Sequence, residues 1–284
     1  MHHLLLPLLS YPLLLSSGLQ CQPAHTQKAG TVTATVATQA VIPDKVSQLS
    51  PPAGYTRLAA SPGSFAAWLR NITLKKDPTV YLYNKQPKPN QTAQYAVLDI
   101  PVGDKDLQQC ADAVIRLRAT YLYQQGQTAE IAFSATDGTR IDYPSWQEGY
   151  RFKLLNNKLI KVKNGIAGNS SASFDLYLQT VFAYAGTLSL SRELKPVAHI
   201  HNIEPGNVFI KGGSPGHAVI VMDVATNAAG QKMFLLAQSY MPAQDIHILQ
   251  NPVDKTFSPW YPEDFGQTLL TPEWRFEKGE LMSW

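Results

Sequence analysis

The chain has 284 residues, of which 44% are hydrophobic and 16% are charged, and its formal net charge is +3. This length is enough for one large domain or two small ones with a proper core. The Lys and Arg residues are spread along the chain, so the charge pattern argues against a nucleic-acid-binding stripe.

The N-terminus carries an apolar run, Leu4 to Leu15, that is too short and too interrupted by proline to span a membrane. It is typical of an export signal, which we assign to residues 1–21. Cys21 stands where a bacterial lipoprotein has its acylated cysteine, although Gln20 replaces the small residue expected before it; lipidation and simple cleavage both stay open. We therefore expect an exported protein, periplasmic or lipid-anchored in the outer membrane. If Cys21 is lipidated or removed, Cys110 stands alone and no intrachain disulfide is available.

Residues 22–52 are rich in Thr, Ala, Gln, Val and Pro and predict a flexible tether, followed by a globular part over residues 53–284. A short helix is predicted in Ser61–Arg70 and strands in Thr79–Asn84 and Tyr95–Ile100. The clearest helix is Asp104–Gly126, which has a broad apolar face and ends at a glycine.

Three short strands are predicted next, in the stretches "EIAFSA", "TRIDYP" and "YRFKLL". A second helix follows in Phe174–Gly186, and then several strands and a tail rich in Pro and Trp. Helices and strands mix without a regular βαβ alternation, which predicts an α+β fold. One domain and two domains are both compatible with this pattern.

The stretch from Ser173 to Val221 resembles the core of NlpC-type, papain-like cysteine peptidases. In those enzymes a cysteine opens a helix, a Pro-Gly turn and a strand follow, and the next strand carries the catalytic histidine. The residues that match the helix, the turn and the histidine are Gln179, Val181, Phe182, Ala185, Gly186, Pro205, Gly206, Val208, Phe209 and His217. The resemblance implies a papain-like core over about residues 168–250, with the N-terminal helix and strands packed on it.

The position that corresponds to the nucleophile holds Phe174, and Asn207 replaces the usual aspartate of the turn. A phenyl ring cannot attack a carbonyl, so the resemblance implies a degenerate member of the group. Ser173 or Ser171 is an alternative nucleophile, against the simpler interpretation of Ser173 as a helix N-cap. Cys110 is another, against the interpretation of a mid-helix thiol buried as a small hydrophobe.

The resemblance implies that Gln238, on the strand after the histidine strand, orients the His217 ring, against the interpretation of a buried glutamine that bonds to the backbone. Glycines 212, 213 and 216 predict the turn that presents His217. The pair His199 and His201 would share one face of a strand and suggests a metal site with His217 or His247. No acidic residue or cysteine is placed to help such a site, so we expect neither a metal nor any other cofactor.

A second resemblance covers more of the chain. The stretches "LQQCADAVIRLRATYLY", "VFAYAGTLSL", "GGSPGHAVIVMDVA" and "LLAQSYMPAQDIHIL" resemble an uncharacterised family of secreted or lipid-anchored bacterial envelope proteins, known as a domain of unknown function. The similarity runs from about Pro52 to Tyr261. It implies export and a single family-wide domain, and it implies no activity.

Three functional hypotheses follow. The leading one is a non-catalytic NlpC-like fold that holds an envelope peptide or glycan, such as peptidoglycan, with Tyr177, Tyr184, Asn207 and Tyr240 as binding residues. The second is an active peptidase, amidase or esterase that uses Ser173 or Cys110 with His217. The third is a structural lipoprotein without a small-molecule site. We expect no nucleic-acid partner, and membrane contact only through a lipid anchor.

Overall fold

An antiparallel sheet of nine strands runs through residues 43–284, the part of the chain that the computed structural model describes. The predicted export signal, Cys21 and the tether up to residue 42 lie outside the described residues. Residues 43–284 belong to one unit, and the mixture of helices with mostly antiparallel strands confirms the α+β class. Among these residues, none of the helices is long and apolar enough to cross a lipid bilayer.

The described helices are α1 (Phe65–Arg70), α2 (Cys110–Gln124), α3 (Tyr143–Gln147), α4 (Ser171–Tyr184) and α5 (Thr187–Glu193). The strands are β1 (Tyr55–Arg57), β2 (Gln94–Val97), β3 (Ala132–Ser134), β4 (Arg140–Asp142), β5 (Tyr150–Leu155), β6 (Lys158–Lys163), β7 (Lys195–Pro196), β8 (Val208–Lys211), β9 (His217–Asn227), β10 (Lys232–Gln238), β11 (His247–Leu249), β12 (Trp260–Pro262), β13 (Thr268–Leu270), β14 (Arg275–Glu277) and β15 (Leu281–Ser283). Single 3-10 turns occupy Val46–Gln48, Thr128–Glu130, Ile200–Asn202 and Lys278–Glu280.

The large sheet has the strand order β2-β11-β10-β9-β8-β15-β7, with β1 added to β9 and β12 added to β10. Strands β3–β4, β5–β6 and β13–β14 form three separate two-stranded sheets. The central strand β9 is the longest, and its residues His217 to Ala225 are all buried. A strand that is apolar without alternation is covered on both faces, which is what the sequence "HAVIVMDVA" encodes.

Two apolar clusters cover the two faces of β9. Ala218, Ile220 and Met222 belong to the larger cluster, which includes the buried face of α2. Val219 and Val221 belong to the smaller cluster, which includes residues of the β13–β14 hairpin. Because successive strand residues point to opposite faces, the hairpin packs on one side of β9 and α2 on the other.

The helix α2 begins six residues later than its apolar pattern predicts. Gln109 is its N-cap and Cys110 its first helical residue. The preceding residues bond to a distant loop instead: Asp106 Oδ1 accepts from the Ala243 N–H at 2.6 Å, and the Gln108 carbonyl accepts from Ser239 Oγ at 2.8 Å. The expectation of a mid-helix Cys110 is therefore wrong.

Other predicted boundaries also change. Residues 79–84 form isolated bridges in place of the predicted strand. In the stretch "TRIDYP" the strand stops at Asp142, whose carboxylate accepts from the Ser145 N–H at 2.8 Å and caps α3. Val46 and Leu49 are buried in the core, so folded structure begins before residue 53 and the predicted tether is too long at its C-terminal end.

Candidate active site

Cys110 occupies the N-terminus of α2, against the backbone of the strand that carries His217. Its side chain is 6% exposed. Burial raises the pKa of the thiol to about 11, and the nearby Asp112 carboxylate acts in the same direction. The backbone N–H of Ala218, the residue after His217, interacts with the thiol and lowers its pKa, as does the Ala111 N–H in the first turn of the helix. The free amides of a helix N-terminus favour negative charge at this position.

His217 is the first residue of β9 and is almost completely buried. Its ring centroid lies 4.8 Å from that of Tyr240, 5.3 Å from that of Trp274 and 5.8 Å from that of Phe276. Burial in this aromatic surround lowers the pKa of His217 to about 4. The imidazole is therefore neutral at physiological pH.

A chain of hydrogen bonds fixes the tautomer of the His217 ring. Gln238 Nε2 donates to the Glu273 carboxylate at 2.8 Å, which turns the amide oxygen of Gln238 toward His217. That oxygen lies 2.8 Å from His217 Nε2, so Nε2 carries the proton. The neutral ring then has an unprotonated Nδ1, which is the nitrogen able to accept a proton.

The Glu273 carboxylate is itself held by two residues of a distant segment. Lys88 Nζ donates to Oε2 at 2.5 Å, and Asn90 Nδ2 donates to Oε1 at 3.2 Å. Burial lowers the pKa of Lys88, which is 6% exposed, and the ion pair with Glu273 opposes that shift. The Glu273 carboxylate thus accepts from Lys88, Asn90 and Gln238, and its fixed position restrains the orientation of the Gln238 amide.

His247 lies on the other side of the same amide, on the neighbouring strand β11. Its Nδ1 donates to the Asp245 carbonyl at 2.9 Å, and its Nε2 lies 3.5 Å from Gln238 Nε2. Burial lowers the pKa of His247 to about 3. The unprotonated Nε2 of His247 thus faces the Gln238 Nε2 amide group, which helps to hold the Gln238 amide in its orientation.

A cavity of about 390 Å³ opens at the Cys110 end of α2. Its wall is formed by the start of α2, the end of α4, the loop of residues 213–216 and Met241. Gly216 has no room for a side chain, because a Cβ there would lie 2.4 Å from the Gly213 carbonyl oxygen and from Thr187 Oγ1. The loop before His217 therefore needs glycine, in agreement with the prediction that these glycines present the histidine.

Asp112 also lines this cavity. One carboxylate oxygen, Oδ2, accepts from the Gln109 N–H at 3.0 Å, and the other, Oδ1, is buried without a hydrogen-bond partner among residues 43–284. Burial raises the pKa of Asp112 to about 8. The carboxyl is thus largely protonated at neutral pH and can donate a hydrogen bond beside Cys110.

The sequence of this chain matches one family model, described as domain of unknown function 4846 (DUF4846), over residues 46–283. The chain belongs to the DUF4846 family. This confirms the resemblance to an uncharacterised family that the sequence indicates. No curated protein and no solved structure shows significant similarity to the chain.

Within the DUF4846 domain, the predicted serine nucleophiles lie far from Cys110. Phe174 stacks on Tyr123 near the C-terminal end of α2, with ring centroids 4.2 Å apart. Tyr123 is thirteen residues beyond Cys110 in α2, which corresponds to about 20 Å along the helix.

Ser173 and Ser171 have other surroundings. Ser173 Oγ accepts from Trp146 Nε1 at 3.0 Å, and Ser171 lines a different cavity of about 590 Å³ that Cys110 does not line. The helix N-cap is Ser170, so the interpretation of Ser173 as the cap is wrong.

Of the four predicted binding residues, Tyr240 is the one beside His217. Tyr177 is fully buried, and its hydroxyl donates to the Ile141 carbonyl at 2.9 Å. Asn207 is buried in the turn before β8, where its Oδ1 accepts from the Glu204 N–H at 2.8 Å. The carbonyl of Tyr184 accepts from the Thr136 N–H at the end of α4. Tyr177 and Asn207 are thus structural residues of the core and the turn.

The suggested histidine metal site is not assembled. Residues 200–202 form a 3-10 turn, which contradicts the strand assumed for His199 and His201. His201 Nδ1 lies 3.1 Å from Glu263 Oε2, whereas His217 and His247 sit at Gln238. In the described part of the chain, no group of three or more His, Cys, Asp or Glu side chains is arranged to hold a metal ion.

Four residues of the site were not predicted: Lys88, Asn90, Asp112 and Glu273. Lys88 and Glu273 are separated by 185 residues and meet only in the folded chain. Asp112 could have been found from the sequence, because a carboxylate two residues after a cysteine at a helix start lies in the same first turn. With the helix start predicted at Asp104, Cys110 and Asp112 did not fall in the first turn.

Proposed function

We propose that this protein is a cysteine-dependent hydrolase in which Cys110 is the nucleophile, His217 the base and Gln238 the residue that orients the base. The observation that carries the proposal is the relay from Lys88 through Glu273 and Gln238 to His217, because it protonates Nε2 and leaves Nδ1 free to accept a proton. A neutral imidazole with one unprotonated nitrogen is the base that a thiol nucleophile requires.

The order of these residues along the chain agrees with the NlpC resemblance. A cysteine opens a helix, a histidine begins a later strand, and an amide follows on the next strand. The resemblance placed the cysteine helix at α4, whereas the cysteine is found on α2, and α2 packs against β9. The papain-like core is thus part of this proposal, with α2 as its nucleophile helix.

The chemistry is acyl transfer from the substrate to the Cys110 thiol, with the thiol and the His217 imidazole both neutral at the start. Cys110 Sγ attacks the substrate carbonyl carbon while its proton passes to His217 Nδ1, and a C–S bond forms as the carbonyl becomes an oxyanion. The amides of the first turn of α2 and the protonated Asp112 carboxyl are available donors for that oxyanion. The leaving amine or alcohol takes the proton from His217, and water then hydrolyses the thioester.

Strand geometry sets a condition on this mechanism. Cys110 contacts Ala218, whose side chain belongs to the α2 face of β9, while His217 packs with residues of the opposite face. The mechanism therefore requires the thiol and the imidazole to meet at the first residue of β9, where the strand begins. Burial raises the pKa of Tyr240, and the Glu273 carboxylate and Cys110 act in the same direction. The Tyr240 ring also contacts His217, so Cys110 and His217 both lie near Tyr240.

The test is hydrolysis of p-nitrophenyl acetate and of peptidoglycan fragments by the wild-type protein and four variants. Cys110→Ser and His217→Ala are expected to lose turnover, and Gln238→Ala to lower it by about 10²-fold. Ser173→Ala is the matched control and should keep full activity. An acetyl group on Cys110, detected by mass spectrometry, would identify the nucleophile; turnover that survives Cys110→Ser would contradict the proposal.

The second candidate is a non-catalytic envelope protein that holds a peptide or glycan. It is favoured by the enclosure of the His217 ring, which is 1% exposed among three aromatic side chains. Fragment binding without turnover in the wild-type protein, unchanged in Cys110→Ser, would support it. Export and an envelope location, on which the choice of fragments rests, are predictions from residues 1–21.

A further inference from the structure

The β5–β6 hairpin concentrates the positive charge of the chain. Residues 149–174 contain five Lys or Arg side chains and no Asp or Glu, so the rest of the chain carries a net charge of −2 although the whole chain is at +3. The charge is thus less evenly distributed than the spread of Lys and Arg along the sequence suggests. The strands β5 and β6 pair only with one another and form a sheet separate from the large one.

The end of this hairpin is apolar as well as basic. Leu154 and Leu155 directly precede the turn at Asn156 and Asn157 and are 56% and 52% exposed. Both asparagines have positive φ, of 50° and 60°, as a tight hairpin turn requires. Ile166, just after the hairpin, is 88% exposed. Three of the large exposed apolar side chains of the described chain therefore lie within thirteen residues of sequence.

The hairpin is fixed to the domain at its base. Phe152 and Leu159 are buried in the larger core cluster. Arg151 lies over the Trp146 ring, 3.9 Å from its centroid, and donates to the Ile166 carbonyl at 2.8 Å, which holds the following loop beside β5. The base therefore holds the exposed leucines and lysines at the free end of the hairpin, with Lys153, Leu155 and Lys158 on one face and Leu154 on the other.

We propose that the hairpin tip, defined as Lys153, Leu154, Leu155 and Lys158, docks on a lipid bilayer that contains anionic headgroups. Lys153 and Lys158 are exposed on either side of the turn, where they can reach lipid phosphates while the apolar side chains enter the acyl boundary. Basic and apolar residues side by side are the chemistry of interfacial membrane binding. A soluble anionic polymer would engage the lysines and leave the leucines in water.

The test is flotation of the full-length protein with phosphatidylcholine vesicles and with vesicles that contain three parts in ten of phosphatidylglycerol, a composition chosen as roughly that of a strongly anionic surface. The measured quantity is the binding constant for the anionic vesicles minus the binding constant for the phosphatidylcholine vesicles. Lys153→Glu/Lys158→Glu should lower that difference by at least about tenfold. Leu154→Ser/Leu155→Ser should lower it by a similar factor because apolar contact is lost.

The matched control is Val253→Ser/Lys255→Glu, which changes an exposed apolar residue and an exposed lysine elsewhere. It should bind like wild type, and any contribution of residues 1–42 is the same in every variant. The proposal would be overturned if the anionic lipid increased binding equally in the hairpin variants and in the control. A loss in the glutamate variant with none in the serine variant would also overturn it, because charge without apolar insertion indicates an anionic polymer or an acidic protein.

Discussion

The reactivity of Cys110 is the most direct prediction of the site, because it needs no knowledge of the substrate. An isolated thiol with a pKa of about 11 has a thiolate fraction at pH 7 that is about 300-fold lower than that of an ordinary cysteine with a pKa of about 8.5. Its alkylation rate should be lower by the same factor, should rise about tenfold per pH unit, and should not depend on His217.

A thiol and imidazole pair behaves differently. The base must be neutral, so reactivity falls as the pH drops through the pKa of His217, about 4, and the rate should be nearly constant between roughly pH 5 and pH 9. His217→Ala removes the base and should slow alkylation at pH 7 by ~10². The rate should then acquire the tenfold-per-unit rise of an isolated thiol.

The assay is a time course with iodoacetamide, followed by mass spectrometry of the peptide that contains Cys110, which separates it from Cys21. His201→Ala is the control, because His201 is an exposed imidazole paired with Glu263, and its carbonyl bonds to Lys232, at the opposite end of β10 from Gln238. An equal rate in wild type and His217→Ala, with the steep pH dependence in both, would refute the catalytic pair. The second candidate function would then be preferred.

Three stability predictions follow from the fold. Asp223→Ala removes a buried carboxylate that is paired with two arginines, each at 2.6 Å, and should lower the free energy of unfolding by about 3–5 kcal/mol in urea titrations; a loss below about 1 kcal/mol would mean that the pairs contribute little. Gly206→Ala places a Cβ 2.7 Å from the Phe65 ring at a φ of +93°, and should cost about 2–4 kcal/mol, whereas Gly230→Ala, with a φ of +82° and open space, should cost about 1 kcal/mol; equal losses would assign the whole effect to the backbone. Burial lowers the pKa of His247 from 6.5 to about 3, so between these values only the unfolded chain binds the proton and the free energy of unfolding should fall as the pH drops below 6.5. In thermal melts, His247→Gln should lose less stability on acidification than wild type. An equal loss in both proteins would exclude the histidine as a cause.

The sequence was sufficient for the features that depend on local pattern. The apolar patterns of α2 and α4 predicted two helices, and the mixture of elements predicted the α+β class. The placement of His217 after a glycine turn, and of Gln238 on the following strand, was also available from order along the chain. These features are set by residues close together in sequence, and the 2.8 Å bond between the two side chains agrees with that placement.

Only the tertiary structure decided where α2 begins and how the His217 ring is held. The start of α2 at Cys110 is fixed by bonds from Asp106 and Gln108 to residues 239–243, and no local pattern contains them. The Lys88–Glu273 pair likewise joins two segments that are 185 residues apart in the sequence. Periodicity reports burial of a helix face, and Cys110 is buried as that pattern predicts. The end of a helix and the partner of a buried charge depend on contacts distant in sequence, which is why the position of Cys110 at the start of α2 could not be predicted.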